Sequence, residues 1–402
     1  MTSRPENIVV VGTGLAGVRS AETLRARGFD GRLTLVGEEI HLPYERPALS
    51  KELLAGKRSP EQLILRQPEF FREQQIELLL GRRVEKVSPK HRTALLSDGR
   101  ELIWDALVLA TGARARRLRG LETPPGVHYL RTLSDALSLS AALARGKRLA
   151  VVGAGFIGAE VASTAVFLGL DVSVIEPLQA PLERVLGAKT GMLLAERYRA
   201  HGVELRLGTG VTGFVSGDDG RLRALELSDG SEIACDVAVV GVGAEPAGEL
   251  LGGREIETDA SGRTEYEDIY ACGDVASSWR PSLGRRLRME HWTSAAGQAA
   301  AVARTILGEE SVHDDVPFFW SDQFGLRLQY VGFASEWANT EVEGGGDAFS
   351  VRYFDEDERL LAALVANRPG EVAALRRELA QNALTPPTRS SAAGPRPSLV
   401  PA

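Results

Sequence analysis

The sequence predicts an α/β fold with parallel sheets and a further α+β domain toward its C-terminal end. The main observation is an internal duplication, in which strand, glycine-rich turn, helix and strand follow one another twice. The two turns are Gly-Thr-Gly-Leu-Ala-Gly at 12–17 and Gly-Ala-Gly-Phe-Ile-Gly at 153–158. Alternating strands and helices of this kind form parallel sheets. From about residue 316 aromatic residues cluster and alternating strands follow, which indicates the additional domain.

The first copy joins an apolar strand at 8–11 to a helix that carries apolar residues at helical spacing and stops at a glycine. A second strand follows it and leads to Glu38. The second copy has the same order of elements from 148 onwards, and its second strand ends at Glu176. Each copy therefore has the organisation of a Rossmann unit.

Both turns have the glycine spacing of a dinucleotide site. The first glycine makes the tight turn, the second lets a pyrophosphate approach the backbone, and the third lets helix and strand pack closely. An acid at the end of the next strand can accept hydrogen bonds from ribose hydroxyls. Glu38 lies 26 residues after Gly12, and Glu176 lies 23 residues after Gly153. Two dinucleotides in one chain indicate hydride transfer between a nicotinamide and a flavin.

Composition argues against several other classes. Cys235 and Cys272 are the two cysteines and form no Cys-x-x-Cys pair, so neither the dithiol of disulfide reductases nor a cysteine metal site is expected. The net charge of -7 argues against nucleic acid as a partner. No apolar stretch reaches the roughly 20 residues that span a bilayer, and no targeting segment is visible. We expect a cytoplasmic protein that binds no metal, nucleic acid or membrane.

Lys51 and Glu160 are candidates for tuning the reactivity of a flavin. Lys51 ends the run Pro-Tyr-Glu-Arg-Pro-Ala-Leu-Ser-Lys, and Glu160 lies in the first turns of the second Rossmann helix. Spacing alone favours a surface lysine and a solvated helix glutamate, and the tuning role is what the family resemblance below implies. His291 stands in Glu-His-Trp just before a predicted helix and could lie over a flavin. His41, two residues before Pro43, could also lie near the flavin but is not favoured, and His91, His128, His201 and His313 have no ligand spacing.

These motifs resemble those of the FAD-dependent NADH:ferredoxin reductases of bacterial oxygenase systems, the family of putidaredoxin reductase and of the reductase of biphenyl dioxygenase. The resemblance covers about 7–384. Its marks are the run that ends at Lys51, Ala110-Thr111-Gly112, Leu130-Arg131-Thr132, Tyr270 to Val275, Glu290-His291-Trp292 and Trp320-Ser321-Asp322-Gln323. The Ser-Lys and Trp-Ser-Asp-Gln motifs, together with the missing dithiol, point to this branch rather than to disulfide reductases.

The resemblance implies two sets of cofactor-binding residues. Those expected to bind FAD are Gly12, Thr13, Gly14, Ala16, Glu38, Arg46, Lys51, Val84, Ala110, Thr111, Gly112, Arg131, Asp274, Val275, Glu290, His291, Trp292 and Trp320. Those expected to bind NADH are Gly153, Gly155, Phe156, Ile157, Gly158, Glu160, Glu176, Arg184 and Gly243. Lys51 and Glu160 form the expected catalytic pair, in which Lys51 donates near flavin N5 and favours flavin reduction electrostatically.

The resemblance also implies a domain organisation, that of a glutathione-reductase-like flavoprotein with an added C-terminal α+β domain. An FAD-binding domain at 1–113 and 243–315 is expected to be discontinuous, with an NADH-binding domain at 114–242 inserted in it. The C-terminal domain at 316–384 is expected to cover the flavin. The proline-rich tail at 385–402 is expected to be disordered.

The expected reaction is hydride transfer from NADH to FAD, followed by single-electron transfer to a small iron–sulfur protein, a [2Fe–2S] ferredoxin serving a P450 or Rieske dioxygenase. The alternatives are a rubredoxin or quinone reductase, and a flavin-dependent redox sensor or interaction protein. We expect a monomer or weak dimer. Because such ferredoxins are acidic, we expect a basic dock. We prefer the arginine run at 280–288 over the run at 114–119, with Trp320 as the edge across which electrons leave.

Overall fold

The computed structural model describes residues 5–384, and the tail expected to be disordered, 385–402, lies outside them. The described chain forms two compact units. The first unit comprises 5–45, Glu61–Arg114 and Glu245–Phe319. The second unit comprises Arg46–Pro60, Ala115–Ala244 and 320–384. The division into FAD-binding, NADH-binding and C-terminal domains stays a prediction.

Strands and helices alternate over much of the described chain. Its strands are β1 (Asn7–Val11), β2 (Arg32–Val36), β3 (Ile76–Leu79), β4 (Val84–Ser88), β5 (Thr93–Leu96), β6 (Glu101–Ile103), β7 (Ala106–Leu109), β8 (Ala113–Ala115), β9 (Val127–Tyr129), β10 (Arg148–Val152), β11 (Asp171–Glu176), β12 (Glu204–Leu207), β13 (Val211–Ser216), β14 (Leu222–Leu227), β15 (Glu232–Ala234), β16 (Val237–Val240), β17 (Ala244–Pro246), β18 (Ile256–Thr258), β19 (Ile269–Ala271), β20 (Ala276–Arg280), β21 (Arg285–Arg288), β22 (Phe318–Gln323), β23 (Leu326–Gly332), β24 (Asn339–Gly345), β25 (Ala348–Phe354) and β26 (Leu360–Ala366). Its α-helices are α1 (Leu15–Ala26), α2 (Pro68–Glu73), α3 (Leu133–Leu143), α4 (Phe156–Phe167), α5 (Glu183–Ala200), α6 (Trp292–Ile306) and α7 (Val372–Leu384). Short 3-10 helices lie at Arg46–Ala48, Pro60–Leu63, Pro89–His91, Glu249–Leu251, Pro281–Leu283 and Pro369–Glu371.

The first unit is built on a parallel sheet of five strands in the order β19-β7-β1-β2-β3. Both faces of β1 are covered. Ile8 and Val10 pack in the core that includes α1 and α6, whereas Val9 and Val11 pack in the core that includes the antiparallel sheet β4-β5-β6. This arrangement explains why 8–11 is a continuous apolar run rather than an alternating one.

The second unit repeats this plan with a parallel sheet in the order β12-β11-β10-β16-β9. β10 pairs with β11 and β16 just as β1 pairs with β2 and β7. Ala150 and Val152 on β10 pack in a core with residues of the antiparallel sheet β13-β14-β15. The duplicated α/β fold predicted from the sequence is therefore confirmed.

The second unit also contains an antiparallel sheet in the order β22-β23-β26-β25-β24, with α7 packed against β23 and β26. This sheet contacts α5. Tyr353 donates a hydrogen bond to the Leu186 carbonyl at 3.1 Å, and Gly187 interrupts the helical geometry of α5 with a φ of 76°. A Cβ at Gly187 would lie 2.6 Å from the ring of Trp337, so glycine is required there both for its conformation and for space.

Candidate functional site

The first glycine-rich turn joins β1 to α1 and leaves no room for side chains at two of its three glycines. At Gly12, whose φ is 115°, a Cβ would lie 2.1 Å from the Ala110 carbonyl oxygen, and at Gly17 a Cβ would lie 1.8 Å from the Gly12 oxygen. Gly14 differs, because it caps α1 and nothing lies within 4 Å of the position of its Cβ. The N-terminus of α1 thus borders open space, which is where a pyrophosphate would bind its N–H groups.

Other predicted FAD residues reach the same edge of this sheet, because β1, β7 and β19 are adjacent parallel strands whose carboxyl ends lie together. β7 runs into Ala110-Thr111-Gly112, and β19 runs into Cys272-Gly273-Asp274. A Cβ at Gly273 would lie 3.0 Å from that of Ala16, so the second segment lies against the start of α1. Glu38 follows β2 and is exposed. Open α/β sheets bind ligands at this edge, and these residues fit a dinucleotide.

His291 caps α6 next to the predicted flavin-contact residue Trp292, the first residue of that helix. The imidazole of His291 lies against Phe319, with the ring centroids 4.5 Å apart. Burial lowers the pKa of His291 to about 4, although Asp274 has the opposite influence. His291 is therefore neutral near pH 7 and offers no positive charge to a bound cofactor. Glu290 forms an ion pair with Arg288.

The second glycine-rich turn joins β10 to α4 and has the same geometry. A Cβ at Gly153, whose φ is 99°, would lie 2.5 Å from the Gly241 oxygen, and a Cβ at Gly158 would lie 2.1 Å from the Gly153 oxygen. Gly155 caps α4, and the atom closest to its Cβ position is the Gly241 oxygen at 4.0 Å. This turn therefore also fits a dinucleotide pyrophosphate at a helix N-terminus.

Glu176 ends β11 and turns its carboxylate onto the backbone of this turn. The residue is 9% exposed; Oε2 accepts a hydrogen bond from the Ala154 N–H at 2.8 Å, and Oε1 accepts one from the Leu178 N–H at 3.1 Å. Carboxylate oxygens have further lone pairs, so Glu176 can still accept from ribose hydroxyls. A 2′-phosphate at that place would meet a fixed negative charge.

The remaining predicted NADH residues lie near the starts of helices or after strands in the second unit. Phe156 begins α4, and Ile157, its second residue, is 46% exposed, which is unusual for a large apolar side chain. Arg184 is exposed in the first turn of α5. Gly243, with a φ of 113°, follows β16. An exposed isoleucine beside the open turn can pack on a planar ring.

Glu160 is the centre of a buried polar cluster in the second unit. It is 3% exposed, and its Oε2 accepts hydrogen bonds from Lys51 Nζ at 2.8 Å and from Ser50 Oγ at 2.5 Å. Its Oε1 accepts from Ser321 Oγ at 2.8 Å. Thr164 donates to the Ser50 carbonyl at 2.8 Å and so holds the Ser-Lys segment on α4. The structure thus pairs Lys51 with Glu160, while their catalytic role stays a prediction.

Sequence reasoning did not identify Ser50 and Ser321 as functional residues. Both lie inside motifs that carried the family resemblance, Ser50 before Lys51 and Ser321 in Trp-Ser-Asp-Gln. Their position inside these motifs was the feature of the sequence that could have identified them as functional residues. Their contact with Glu160 could not be found from local pattern, because Ser321 and Glu160 are 161 residues apart in sequence.

The other residues predicted to bind FAD differ in their burial and in their hydrogen-bond partners. Arg46 donates to the Arg131 carbonyl at 2.8 Å, so these two are brought together. Thr111 donates to the Ala247 carbonyl at 2.7 Å. Val84 and Val275 are buried in the apolar core of the first unit, and their contact with FAD stays a prediction. Trp320 is half-buried in β22.

The arginine run at 280–288 is largely compensated by acidic residues. Arg280 is 1% exposed and pairs with Asp314 at 3.4 Å. Arg286 and Arg288 pair at 3.3 Å with two glutamates, Glu257 and Glu255. Arg285 and Arg286 are exposed, and the docking role of this run stays a prediction. Local sequence cannot show these pairs, because the acids lie on other segments of the chain.

The run at 114–119 keeps more of its charge exposed. Arg114 pairs with Glu249 at 2.5 Å. Arg117 lies over the ring of Tyr129, 4.7 Å from its centroid, and Arg119 is exposed. Cation–π stacking leaves the positive charge of Arg117 uncancelled.

The two cysteines are buried free thiols. Burial raises the pKa of both Cys235 and Cys272 to about 12, so both stay protonated and unreactive at neutral pH. Residues 5–384 contain no group of three or more His, Cys, Asp or Glu placed to hold a metal ion. In the same part of the chain, no helix is both long and apolar enough to cross a membrane.

Comparison with known proteins agrees with this geometry. Residues 6–299 match the pyridine nucleotide-disulphide oxidoreductase family, and residues 318–400 match the reductase C-terminal family. The ferredoxin–NAD(+) reductase component of the p-cumate 2,3-dioxygenase system of Pseudomonas putida is 38% identical over 391 residues, 95% of each chain. Putidaredoxin reductase from Pseudomonas putida is 37% identical over 379 residues, 91% of this chain and 90% of that one. The solved covalent complex of putidaredoxin reductase with putidaredoxin matches with a TM-score of 0.91 and 35% identity, covering 94% of this chain and 93% of that one.

Two dinucleotide turns in one α/β chain define a pyridine-nucleotide-dependent flavoprotein oxidoreductase. The chain belongs to the pyridine nucleotide-disulphide oxidoreductase family, in the branch of ferredoxin–NAD(+) reductases that carry a reductase C-terminal domain. The enzyme class and the two cofactors expected from the sequence, FAD and NADH, are thereby confirmed.

Proposed function

We propose that the protein moves a hydride from NADH to FAD and passes single electrons to a [2Fe–2S] ferredoxin that serves a P450 or Rieske dioxygenase. The observation that carries this proposal is the pair of glycine-rich turns, each with an open central glycine at a helix N-terminus. Ferredoxin as acceptor is supported by relatives named as ferredoxin reductases and by the solved complex with putidaredoxin. The protein acts in the cytoplasm, where NADH is available.

The chain's own residues bind and orient the two dinucleotides. We assign FAD binding to 1–113 and 243–315, with the α1 N–H groups on the pyrophosphate and Glu38 on a ribose hydroxyl. FAD held by these residues would supply an acceptor for the hydride and a donor of single electrons. We assign NADH binding to 114–242, where α4 receives the pyrophosphate and Glu176 accepts from the adenosine ribose.

Lys51 and Glu160 control the rate of flavin reduction in this proposal. Lys51 is mostly buried, with 13% of its side chain exposed, and its ammonium is held by Glu160. A positive charge fixed in a poorly solvated place stabilises negative charge that develops during reduction, and it needs no reorganisation at that moment. Glu160 holds the ammonium in place and compensates its burial.

The direct test is an acceptor comparison with the purified holoenzyme. NADH-driven cytochrome c reduction is measured with no mediator, with a [2Fe–2S] ferredoxin, with a rubredoxin and with a quinone. The ferredoxin is expected to give by far the highest kcat/KM. A rubredoxin or quinone that is used equally well would contradict the proposed acceptor, and slow reduction with all of them would favour a redox sensor. Ferricyanide serves only to show that the flavin is active.

A further inference from the structure

A chain of hydrogen bonds leads from α5 to the buried carboxylate of Glu160. Tyr198 Oη donates to Gln323 Oε1 at 2.7 Å, Gln323 Nε2 donates to Ser321 Oγ at 3.2 Å, and Ser321 Oγ lies 2.8 Å from Glu160 Oε1. All four residues are at most 3% exposed and belong to the second unit. Water is therefore largely excluded from this series of hydrogen bonds, so each buried polar atom needs the next residue in the series as its hydrogen-bond partner.

The direction of donation follows from the chemistry of the two ends. An ionised carboxylate only accepts, so Ser321 must donate its single hydroxyl hydrogen to Glu160. The oxygen of Ser321 is then free to accept from the Gln323 amide. Burial raises the pKa of Tyr198, and the negative charge of Glu160 adds to this, so the phenol stays protonated and donates to Gln323. Each member of the chain fixes the orientation of the next.

We propose that Ser321 is a positioning residue that holds Glu160 at Lys51, with Gln323 and Tyr198 orienting its hydroxyl. Among the described residues, Ser321 is the hydrogen-bond donor to Oε1, while Oε2 accepts from Lys51 and Ser50. Without the hydroxyl, Oε1 would be buried and unsatisfied, and the carboxylate would rotate to share its remaining donors. The inference rests on the proposed function, because it acts through Lys51.

The position of Ser321 also explains part of the Trp-Ser-Asp-Gln motif. On β22, Ser321 and Gln323 are two residues apart and point to the same face, whereas Trp320 and Asp322 point to the other. The buried face of the motif thus carries the orienting pair. The serine and the glutamine of the motif act together in orienting Glu160. The glutamine amide donates to the serine oxygen, which leaves the serine hydrogen for Glu160.

The test measures flavin reduction by NADH in the anaerobic holoenzyme by stopped flow. Ser321→Ala should reduce the limiting rate roughly tenfold, the order expected for one hydrogen bond to a charged group, with the KM for NADH unchanged. Ser321→Thr keeps the hydroxyl and should restore most of the rate. Ser350→Ala is the matched control, because Ser350 is also fully buried in the same sheet but bonds to Arg368. The flavin of the Ser350→Ala enzyme should be reduced at the parent rate.

Lys51→Met supplies the background that separates positioning from general structural damage. In that background Ser321→Ala should slow reduction less than twofold, because coupled residues are not additive. An equal loss in both backgrounds, or a parent-like rate for Ser321→Ala, would overturn the inference. If Lys51→Met itself reduces at the parent rate, the proposed role of the pair fails instead, so the two failures are distinguishable.

A second variant keeps the inference testable if Ser321→Ala fails to retain FAD. Gln323→Glu leaves the serine hydroxyl in place but offers a second carboxylate that competes for its hydrogen. This variant should also slow flavin reduction without changing the KM for NADH. If a Gln323→Glu enzyme with full FAD content has its flavin reduced at the parent rate, the series of hydrogen bonds does not orient Glu160 as proposed.

Discussion

Two buried carboxylates of the second unit, Glu176 and Glu160, are held by different kinds of partner. Glu176 is bound by backbone N–H groups of its own Rossmann unit, whereas Glu160 is bound by a lysine and two serines. The backbone N–H groups fix the position of the Glu176 carboxylate at the coenzyme turn. Glu160, in contrast, immobilises the lysine that binds it. We therefore expect Glu176 to act on coenzyme choice and Glu160 to act on rate.

The first residue-scale prediction concerns coenzyme choice. Glu176→Ala should raise the KM for NADH about tenfold or more, because a hydrogen bond to a charged group contributes roughly 1.5–3 kcal/mol. The preference for NADH over NADPH should shrink at the same time, since the repulsion of a 2′-phosphate is removed. Steady-state kcat/KM for both coenzymes measures this. Glu204→Ala, at an exposed acid on β12, is the control. Equal kcat/KM for NADH and NADPH in the parent enzyme would refute the assignment.

The second residue-scale prediction concerns the ion pair. Lys51→Met and Glu160→Gln should each keep FAD bound and slow its reduction by NADH, because each removes the fixed charge or the group that holds it. The double variant should lose less than the product of the two single effects, since the residues act as a unit. Anaerobic stopped-flow measurement of the flavin absorbance gives all three rates. Independent, multiplicative losses would show that the pair has no joint role.

At the scale of elements, the two glycine-rich turns were predictable because their requirements are local. A positive φ and a close backbone contact can be met only by glycine, so Gly12 and Gly153 carry a signal in the sequence itself. The central glycines, Gly14 and Gly155, have ordinary extended backbones and open space in front of them. Space alone does not require glycine there, whereas a pyrophosphate close to the backbone does.

This contrast yields a prediction for matched alanine variants. Gly14→Ala should fold but lose FAD, whereas Gly155→Ala should retain FAD and bind NADH more weakly, because each new methyl group occupies only its own pyrophosphate position. FAD content after gel filtration and the KM for NADH measure the two effects. Gly12→Ala should fail to fold, since its Cβ would lie 2.1 Å from a carbonyl oxygen. Loss of FAD from Gly155→Ala but not from Gly14→Ala would reverse the assignment of the two turns.

A second element-scale prediction concerns Asp236, which joins the starts of β10 and β16. Its carboxylate accepts from the side chain of Arg148 at 2.6 Å and from the N–H groups of Lys147 and Arg148 at 2.9 and 3.0 Å. The Arg148 hydrogen bond is the main reason that the pKa of Asp236 falls from 3.8 to about 2, and the backbone bonds add to it. Because the folded-state pKa is depressed, the stabilisation exists above pH 3.8 and is lost as the pH falls toward 2.

Asp236→Asn should therefore lower the melting temperature at pH 7, and the difference from the parent should vanish between pH 4 and pH 2. About 1 kcal/mol is expected, since the partly exposed pair is screened by solvent. Thermal unfolding monitored by circular dichroism at several pH values measures the difference. Asp218→Asn, in an exposed turn, is the control. A deficit that persists at pH 2 would show that the charge of Asp236 is not its cause.

At the scale of the whole molecule, the fold could be predicted from the sequence, whereas many of the hydrogen bonds and ion pairs between distant residues could not. Strand β1 and its turn follow from an apolar run and three glycines, which are adjacent in sequence. The bond between Ser321 and Glu160 and the pairing of Arg286 with Glu257 join distant segments, and they depend on how strands pack. Local pattern contains no information on such pairs. The arginine run therefore looked basic in sequence although it is largely neutralised in the fold.

The central claim is that one chain converts a two-electron donor into single electrons for a ferredoxin. The most direct measurement reduces the holoenzyme with one equivalent of NADH without oxygen, and then mixes it with excess oxidised [2Fe–2S] ferredoxin in a stopped-flow instrument. Because a hydride carries two electrons and a [2Fe–2S] cluster accepts one, about two ferredoxins should be reduced per NADH. This should occur at a rate that supports turnover. A reduced flavin that persists in the presence of ferredoxin, with no loss of ferredoxin absorbance, would contradict the account.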